Sequence, residues 1–62
     1  MSANLNMSIR KFLKEVGVTS QKVIESACEQ ANLPVGSEAK AKIVLTIEEL
    51  NVEHTVRGNI NS

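Results

Sequence analysis

The chain has few of the residues that stabilise small proteins through covalent bonds or metals. It contains one cysteine, Cys28, and one histidine, His54, among 62 residues. A single cysteine cannot form an internal disulfide, and these two side chains cannot supply the four ligands of a structural zinc site. A domain of about 60 residues buries only about 60% of the surface that its unfolded chain exposes. We therefore predict stability from self-association, without metal or cofactor, and a reducing, cytoplasmic location.

Aromatic residues, long apolar runs and glycine-rich loops are scarce as well. Phe12 is the one aromatic residue and is needed for a core, which argues against a stacking platform for single-stranded nucleic acid. The longest apolar run covers residues 43–45, so no membrane span is expected. The three glycines are isolated from one another and do not form a phosphate-binding loop. These absences favour a protein that is not an enzyme.

The charges are balanced in number but not in position. Residues 1–22 carry four basic and one acidic side chain, a net +3, whereas residues 23–62 carry three basic and six acidic ones, a net −3. Such asymmetry can indicate an anionic partner. The simpler interpretation is that the two halves complement each other, because a chain with no net charge exerts little long-range attraction on nucleic acid.

Apolar residues at helical spacing predict two helices, over about residues 4–16 and 20–32. Gly17 is expected to end the first helix in a left-handed conformation, and Thr19 to cap the second. The second helix must end by Leu33, because a residue before proline avoids the helical region. Each helix has one apolar face, formed by Leu5, Ile9, Phe12, Leu13 and Val16 in the first and by Val23, Ile24, Ala27, Cys28 and Ala31 in the second.

The second half of the chain alternates between apolar and polar residues with a period of two. This pattern predicts strands over about residues 39–47 and 52–60, joined by a loop at residues 48–51. A slip of one residue would turn the apolar set of one strand outward, so the pattern specifies one register. In that register the facing pairs are Ala41–Gly58, Ile43–Val56, Leu45–His54 and Ile47–Val52.

Together these elements predict a single α+β domain, residues 1–62, with the order α-α-β-β. The helical hairpin is expected to pack on one face of the β-hairpin. A two-stranded sheet is marginally stable and has two free edges. We therefore predict a homodimer, in which edge-to-edge pairing forms a four-stranded sheet with four helices on one face.

Two stretches of the sequence resemble a known family. The segments NMSIRKFLKEVGVTSQKVIESA, residues 6–27, and EHTVRGNI, residues 53–60, are similar to a small uncharacterised bacterial family found mainly in proteobacteria. The best-marked parts are NMSIRKFLK, VGVTSQ and the closing His-x-Val-x-Gly-x-Ile. The resemblance implies a bacterial α+β domain of unknown function, and it assigns no catalytic or binding residue.

The sequence around Gly17 also matches part of the helix-turn-helix motif of DNA-binding proteins. Gly17, Val18 and Val23 fit the turn glycine and the apolar positions that follow it, which would make residues 19–22 the start of a recognition helix. Leu13 stands where the motif prefers a small residue, and the second helix then becomes acidic, which phosphates would repel. DNA binding is therefore the alternative hypothesis.

The first hypothesis is a non-catalytic interaction module that binds its partner through the basic side of the first helix. An acidic protein is the first candidate partner and nucleic acid the second. The candidate surface consists of basic and polar residues opposite the apolar face. These are Arg10, Lys11, Lys14, Thr19, Ser20, Gln21 and Lys22.

A third hypothesis is an enzyme that uses Cys28 and His54 as a nucleophile and base. Cys28 lies among aliphatic residues of the second helix, where a thiol usually behaves as a small hydrophobic group. His54 falls on the inward face of the second strand, where a histidine is more often structural. The pattern therefore favours structural roles for both residues.

Overall fold

The computed structural model describes residues 2–62 and shows one helix followed by a β-hairpin. The chain divides into two compact units between Asn32 and Leu33. The first unit is the helix and the second is the hairpin, so the protein is α+β. The elements are helix α1 (Ala3–Ala31), strand β1 (Glu38–Ile47), a 3₁₀ turn (Glu48–Leu50) and strand β2 (Val52–Asn61).

Helix α1 is continuous through Gly17, so the predicted helical hairpin is wrong. Residues 4–16 and 20–32 do not form two helices, and Thr19 is not an N-cap. The Thr19 hydroxyl instead donates to the carbonyl oxygen of Glu15 at 2.7 Å, a bond typical of a helix interior. Glycine in a helix costs only about 1 kcal/mol relative to alanine and does not force a bend. Two copies of this chain would therefore contain two helices and not the four expected from the sequence.

Neither end of α1 is capped by a residue that the sequence predicted as a helix cap. At the N-terminal end, the Ser2 side chain accepts a hydrogen bond from the backbone N–H of Leu5 at 3.1 Å. At the C-terminal end, Asn32 adopts the left-handed conformation (φ 54°, ψ 50°) that Gly17 was expected to adopt. Its N–H donates to the carbonyl oxygen of Glu29. Pro34 follows and prevents the helix from continuing.

The two apolar faces predicted for separate helices are one continuous surface on α1. Successive members recur at intervals of three, four and four residues, so that Ile9, Ser20 and Ala31 are each eleven residues apart. This period of about 3.67 residues per turn is close to the 3.6 of a straight helix, so the surface stays on one side. We call it the apolar stripe. It consists of Leu5, Ile9, Phe12, Leu13, Val16, Ser20, Val23, Ile24, Ala27 and Ala31.

The β-hairpin is present in the register that the alternation specifies. Strands β1 and β2 pair antiparallel, with Leu45 opposite His54 and Ala41 opposite Gly58. The loop is closed by Asn51, which is left-handed (φ 52°) and donates its N–H to the carbonyl oxygen of Glu48. One face of the hairpin is apolar. Its cross-strand pairs are Ala39–Ile60, Ala41–Gly58, Ile43–Val56, Leu45–His54 and Ile47–Val52.

The open end of the hairpin is closed by hydrogen bonds from Ser62. Its hydroxyl donates to the carbonyl oxygen of Pro34 at 2.7 Å and accepts from the N–H of Ser37 at 3.0 Å. The Ser62 N–H donates in turn to the carbonyl oxygen of Ser37. Gly36, with φ 89°, supplies the left-handed residue of the turn between Pro34 and Ser37. The hairpin is thus tied at both ends.

None of the residues 2–62 is buried in the single chain. Phe12 is 52% exposed on the apolar stripe, and Ile43 is 47% exposed on the apolar face of the hairpin. The total accessible surface is 5792 Å².

Candidate functional surfaces

Three of the predicted partner-binding residues form one compact patch on α1. Arg10 and Lys14 are four residues apart and Lys11 and Lys14 three apart, so their side chains are neighbours on one face. All three are exposed, on the side of the helix away from the apolar stripe. We call this patch, Arg10, Lys11 and Lys14, the cationic ridge.

Lys22 lies on the same side of α1 but in a different electrostatic setting. It is two turns beyond Lys14, a distance of about 12 Å along the axis. Glu25 follows it by three residues and Glu29 by seven, which places both carboxylates on the same side of the helix. Gln21 is exposed seven residues after Lys14. The positive surface therefore ends before Lys22.

The remaining two predicted residues do not belong to the cationic ridge. The Thr19 hydroxyl is bonded to the carbonyl oxygen of Glu15. Ser20 is half-exposed and sits on the apolar stripe, four residues after Val16 and three before Val23. The polar elbow expected at residues 19–21 does not exist, because the helix does not turn there. The helix-turn-helix hypothesis is wrong for the same reason.

A second cationic cluster, which was not singled out from the sequence, lies on the polar face of the hairpin. Lys42 is directly opposite Arg57, and Lys40 is two residues along the same face. All three residues are among those that line an open hollow, together with Asn59, Ala41 and Gly58. We call Lys40, Lys42 and Arg57 the hairpin cluster. The cluster could have been predicted from the sequence, because the correct strand register already places these residues together.

Cys28 and His54 are found in different units of the chain. Cys28 is half-exposed in α1, beside the apolar stripe. His54 is in β2, opposite Leu45 on the apolar face of the hairpin. His54 lies in the strand and on the face that the sequence indicates, whereas Cys28 lies in the single helix α1 and not in a second helix. The structural roles expected for both residues stay a prediction.

Within residues 2–62, no three side chains of histidine, cysteine, aspartate or glutamate come together as a group able to hold a metal ion. No helix in that range combines the length and the apolar content needed to cross a bilayer.

The fold and its surfaces define a class of small α+β protein, with one long amphipathic helix, one β-hairpin and two cationic patches. Within this class, the chain belongs to a family of unknown function, DUF6494, whose model matches residues 1–62. The resemblance to an uncharacterised family is thereby confirmed. No curated protein and no solved structure is significantly similar to the chain.

Proposed function

We propose that this protein is a non-catalytic interaction module of the bacterial cytoplasm that forms a homodimer and binds an acidic protein through the cationic ridge. A cytoplasmic location is supported by the lone cysteine, since proteins of oxidising compartments usually pair their thiols. A non-catalytic role is supported by the single histidine and single cysteine, which leave few groups for acid–base or nucleophilic chemistry.

The observation that carries the homodimer is the exposed apolar surface of the single chain. Along one helix, the apolar stripe leaves Leu5, Phe12 and Leu13 about half exposed, at 51%, 52% and 49%. Contiguous exposed apolar patches on soluble proteins usually mark interaction sites. Edge-to-edge pairing of two hairpins is one arrangement of this dimer. It would contain two helices, one from each chain.

The mass of the protein in solution tests the homodimer. Light scattering coupled to size exclusion at tens of micromolar is expected to give twice the chain mass of 6.7 kDa. Dilution should then shift the mass toward one chain at a concentration set by the dissociation constant. A mass of 6.7 kDa at all concentrations would refute the homodimer.

The cationic ridge supports the acidic partner because it has no evident structural use. Arg10, Lys11 and Lys14 are exposed and lie away from the apolar stripe. Only one acidic residue, Glu15, lies within the same stretch of the helix. Three adjacent like charges weaken an isolated helix, so a compensating anion would stabilise them. A protein partner is preferred over DNA, because the chain has no net charge.

Binding of two probes, a glutamate-rich peptide and a random DNA duplex, tests this assignment. We expect the wild type to bind the peptide, and the variant Arg10→Glu/Lys14→Glu to lose that binding. The matched control is Lys40→Glu/Lys42→Glu, which makes the same change in net charge on the hairpin cluster and should retain binding. Tighter binding to DNA with a steep salt dependence would favour nucleic acid instead. Loss of peptide binding only in the control variant would move the site to the hairpin.

A further inference from the structure

The polar face of the hairpin carries its charges in bands along the strands. Because side chains alternate between the two faces of a strand, cross-strand pairs on the same face are two residues apart. From the open end toward the loop, the pairs on the polar face are Glu38–Asn61, Lys40–Asn59, Lys42–Arg57, Val44–Thr55 and Thr46–Glu53. The three cations of the hairpin cluster therefore lie on two neighbouring pairs, with one carboxylate beyond them on each side.

The hairpin cluster holds its charges closer together than folding alone favours. Lys42 is directly opposite Arg57, and Lys40 is two residues from Lys42 on the same strand. Opposite residues have Cβ atoms about 5 Å apart, and residues two apart on a strand are about 7 Å apart. Like charges in such positions destabilise a strand pair. A bound anion would offset this repulsion, so a ligand explains the arrangement better than the stability of the hairpin does.

The two flanking carboxylates limit the shape of that anion. Glu38 is two residues from Lys40, about 7 Å, and Glu53 is four residues from Arg57, about 13 Å. A long polyanion lying along the hairpin, such as a nucleic acid strand or a glutamate-rich peptide, would pass over both carboxylates and be repelled. A compact anion can lie between them, at the open hollow that the hairpin cluster lines together with Asn59.

The donors of the hairpin cluster suit a phosphoryl group better than a carboxylate. A terminal phosphate carries about −1.5 to −2 charge at pH 7 and offers three strong acceptor oxygens, whereas a carboxylate carries one charge and two oxygens. The guanidinium of Arg57 can donate to two oxygens of one phosphate, and each lysine ammonium adds a further charged donor. Asn59, which is opposite Lys40, adds a neutral amide donor. All four side chains are exposed and accessible to a ligand in the single chain.

We propose that the hairpin cluster, together with Asn59, is a binding site for a compact ligand that ends in a phosphoryl group. The site is separate from the cationic ridge, because the ridge is on α1 and the cluster is in the other unit of the chain. It also takes a different chemical class of ligand, a small phosphorylated molecule instead of an acidic protein. Since the cations are exposed, binding is expected to weaken as salt is added.

Titration of the full chain with inorganic diphosphate, followed by heteronuclear NMR in about 0.1 M salt, tests the site. We expect saturable shifts of the backbone amide signals at residues 40–42 and 57–59, and smaller shifts elsewhere. Acetate, which offers a single carboxylate, is expected to bind at least about tenfold more weakly, because it accepts fewer charge-assisted hydrogen bonds. In 1 M salt, where the screening length is about 3 Å, the diphosphate shifts should largely disappear.

A matched pair of variants assigns the binding to the hairpin cluster. Lys42→Gln/Arg57→Gln should weaken diphosphate binding at least about tenfold, because two charged donors are lost. The same change removes the like-charge repulsion, so the hairpin should fold at least as well as in the wild type, and its amide spectrum checks this. The control, Arg10→Gln/Lys14→Gln, removes the same net charge from the cationic ridge and should leave diphosphate binding nearly unchanged.

A second pair of variants tests the role of the flanking carboxylates. Glu38→Gln removes the nearer carboxylate and should tighten diphosphate binding. Glu53→Gln makes the same change in net charge but should have a smaller effect, because its distance of about 13 Å exceeds the screening length of about 10 Å in 0.1 M salt. Equal effects of the two variants would contradict the banded arrangement of charges on this face.

The outcomes separate this proposal from the proposed function. Diphosphate binding at residues 40–42 and 57–59 that is lost in Lys42→Gln/Arg57→Gln and kept in the ridge variant would support it. The absence of shifts at these residues, or their loss in the ridge variant alone, would overturn the site and leave the homodimer and the acidic partner standing. Equal affinities for acetate and diphosphate would overturn the preference for phosphate. Tighter binding of an oligothymidylate strand would overturn the compact ligand.

Discussion

The hydroxyl of Thr19 donates a hydrogen bond of 2.7 Å to the carbonyl oxygen of Glu15, and this bond spans Gly17. It joins two residues one turn apart, which is possible only if the helix runs straight through the glycine. The position that most resembles a bend in the sequence is therefore an ordinary part of a helix of 29 residues.

Replacing Gly17 with alanine is expected to stabilise α1. A Cβ at this position would meet no atom within 4 Å, and alanine is favoured over glycine in a helix interior by about 0.5–1 kcal/mol. Circular dichroism and thermal unfolding should show higher helicity and a higher Tm. Gly36→Ala is the control and should destabilise, because its φ of 89° disfavours side chains. A loss of helicity in Gly17→Ala would indicate a bend after all.

Asn51 should be more sensitive to alanine than to glycine. Its left-handed conformation, φ 52°, suits asparagine and glycine but costs other residues about 1 kcal/mol. We therefore expect Asn51→Ala to lower the free energy of unfolding by about that amount and Asn51→Gly to leave it equal or higher. Urea titration at fixed protein concentration measures both. Equal destabilisation by the two variants would contradict the conformation of this loop.

Removing the hydroxyl of Ser62 should loosen the open end of the hairpin. Ser62→Ala loses the bonds to the carbonyl oxygen of Pro34 and from the N–H of Ser37, for a net cost of about 1 kcal/mol. Amide hydrogen exchange should speed up at Ser37 more than in the middle of the strands. Asn61→Ala, at the neighbouring position, serves as the control, and an identical exchange pattern in the two variants would argue against the contribution of Ser62.

Reversing one charge in the hairpin cluster is expected to stabilise the sheet. Lys42 and Arg57 are directly opposite each other, and like charges in this position destabilise a strand pair. Arg57→Glu replaces repulsion with attraction and should add about 0.2–1 kcal/mol at low salt. Arg57→Gln removes only the repulsion and should have a smaller effect. If both gains persist unchanged in 1 M salt, the cause is not electrostatic, because the screening length there is about 3 Å.

The hairpin was the part of the fold that the sequence predicted best. Its register depends on five facing pairs, four of them apolar on both strands, whose match is lost if one strand slips, so a single alignment satisfies the pattern. The left-handed Asn51 closes the loop where the alternation ends. Local patterning was sufficient here because the pairing partners are close together in the chain.

The candidate site was predicted less completely. Arg10, Lys11 and Lys14 form one patch because their spacing within a single turn holds whether or not the helix bends later. Thr19 and Ser20 were misplaced, because their faces depend on what the chain does at Gly17. The hairpin cluster was not predicted, although the register already places Lys42 opposite Arg57 with Lys40 on the same face.

The sequence by itself determined the period-two hairpin, the amphipathic character of the first half and the end of the helix before Pro34. Only the tertiary structure decided that Gly17 lies within one helix, and so that two short apolar faces are one long stripe. The physical reason is the size of the competing effects. A helical glycine costs about 1 kcal/mol, which the hydrogen bonds of the flanking turns can offset, whereas proline removes a donor and clashes with the preceding turn at a cost of about 3 kcal/mol.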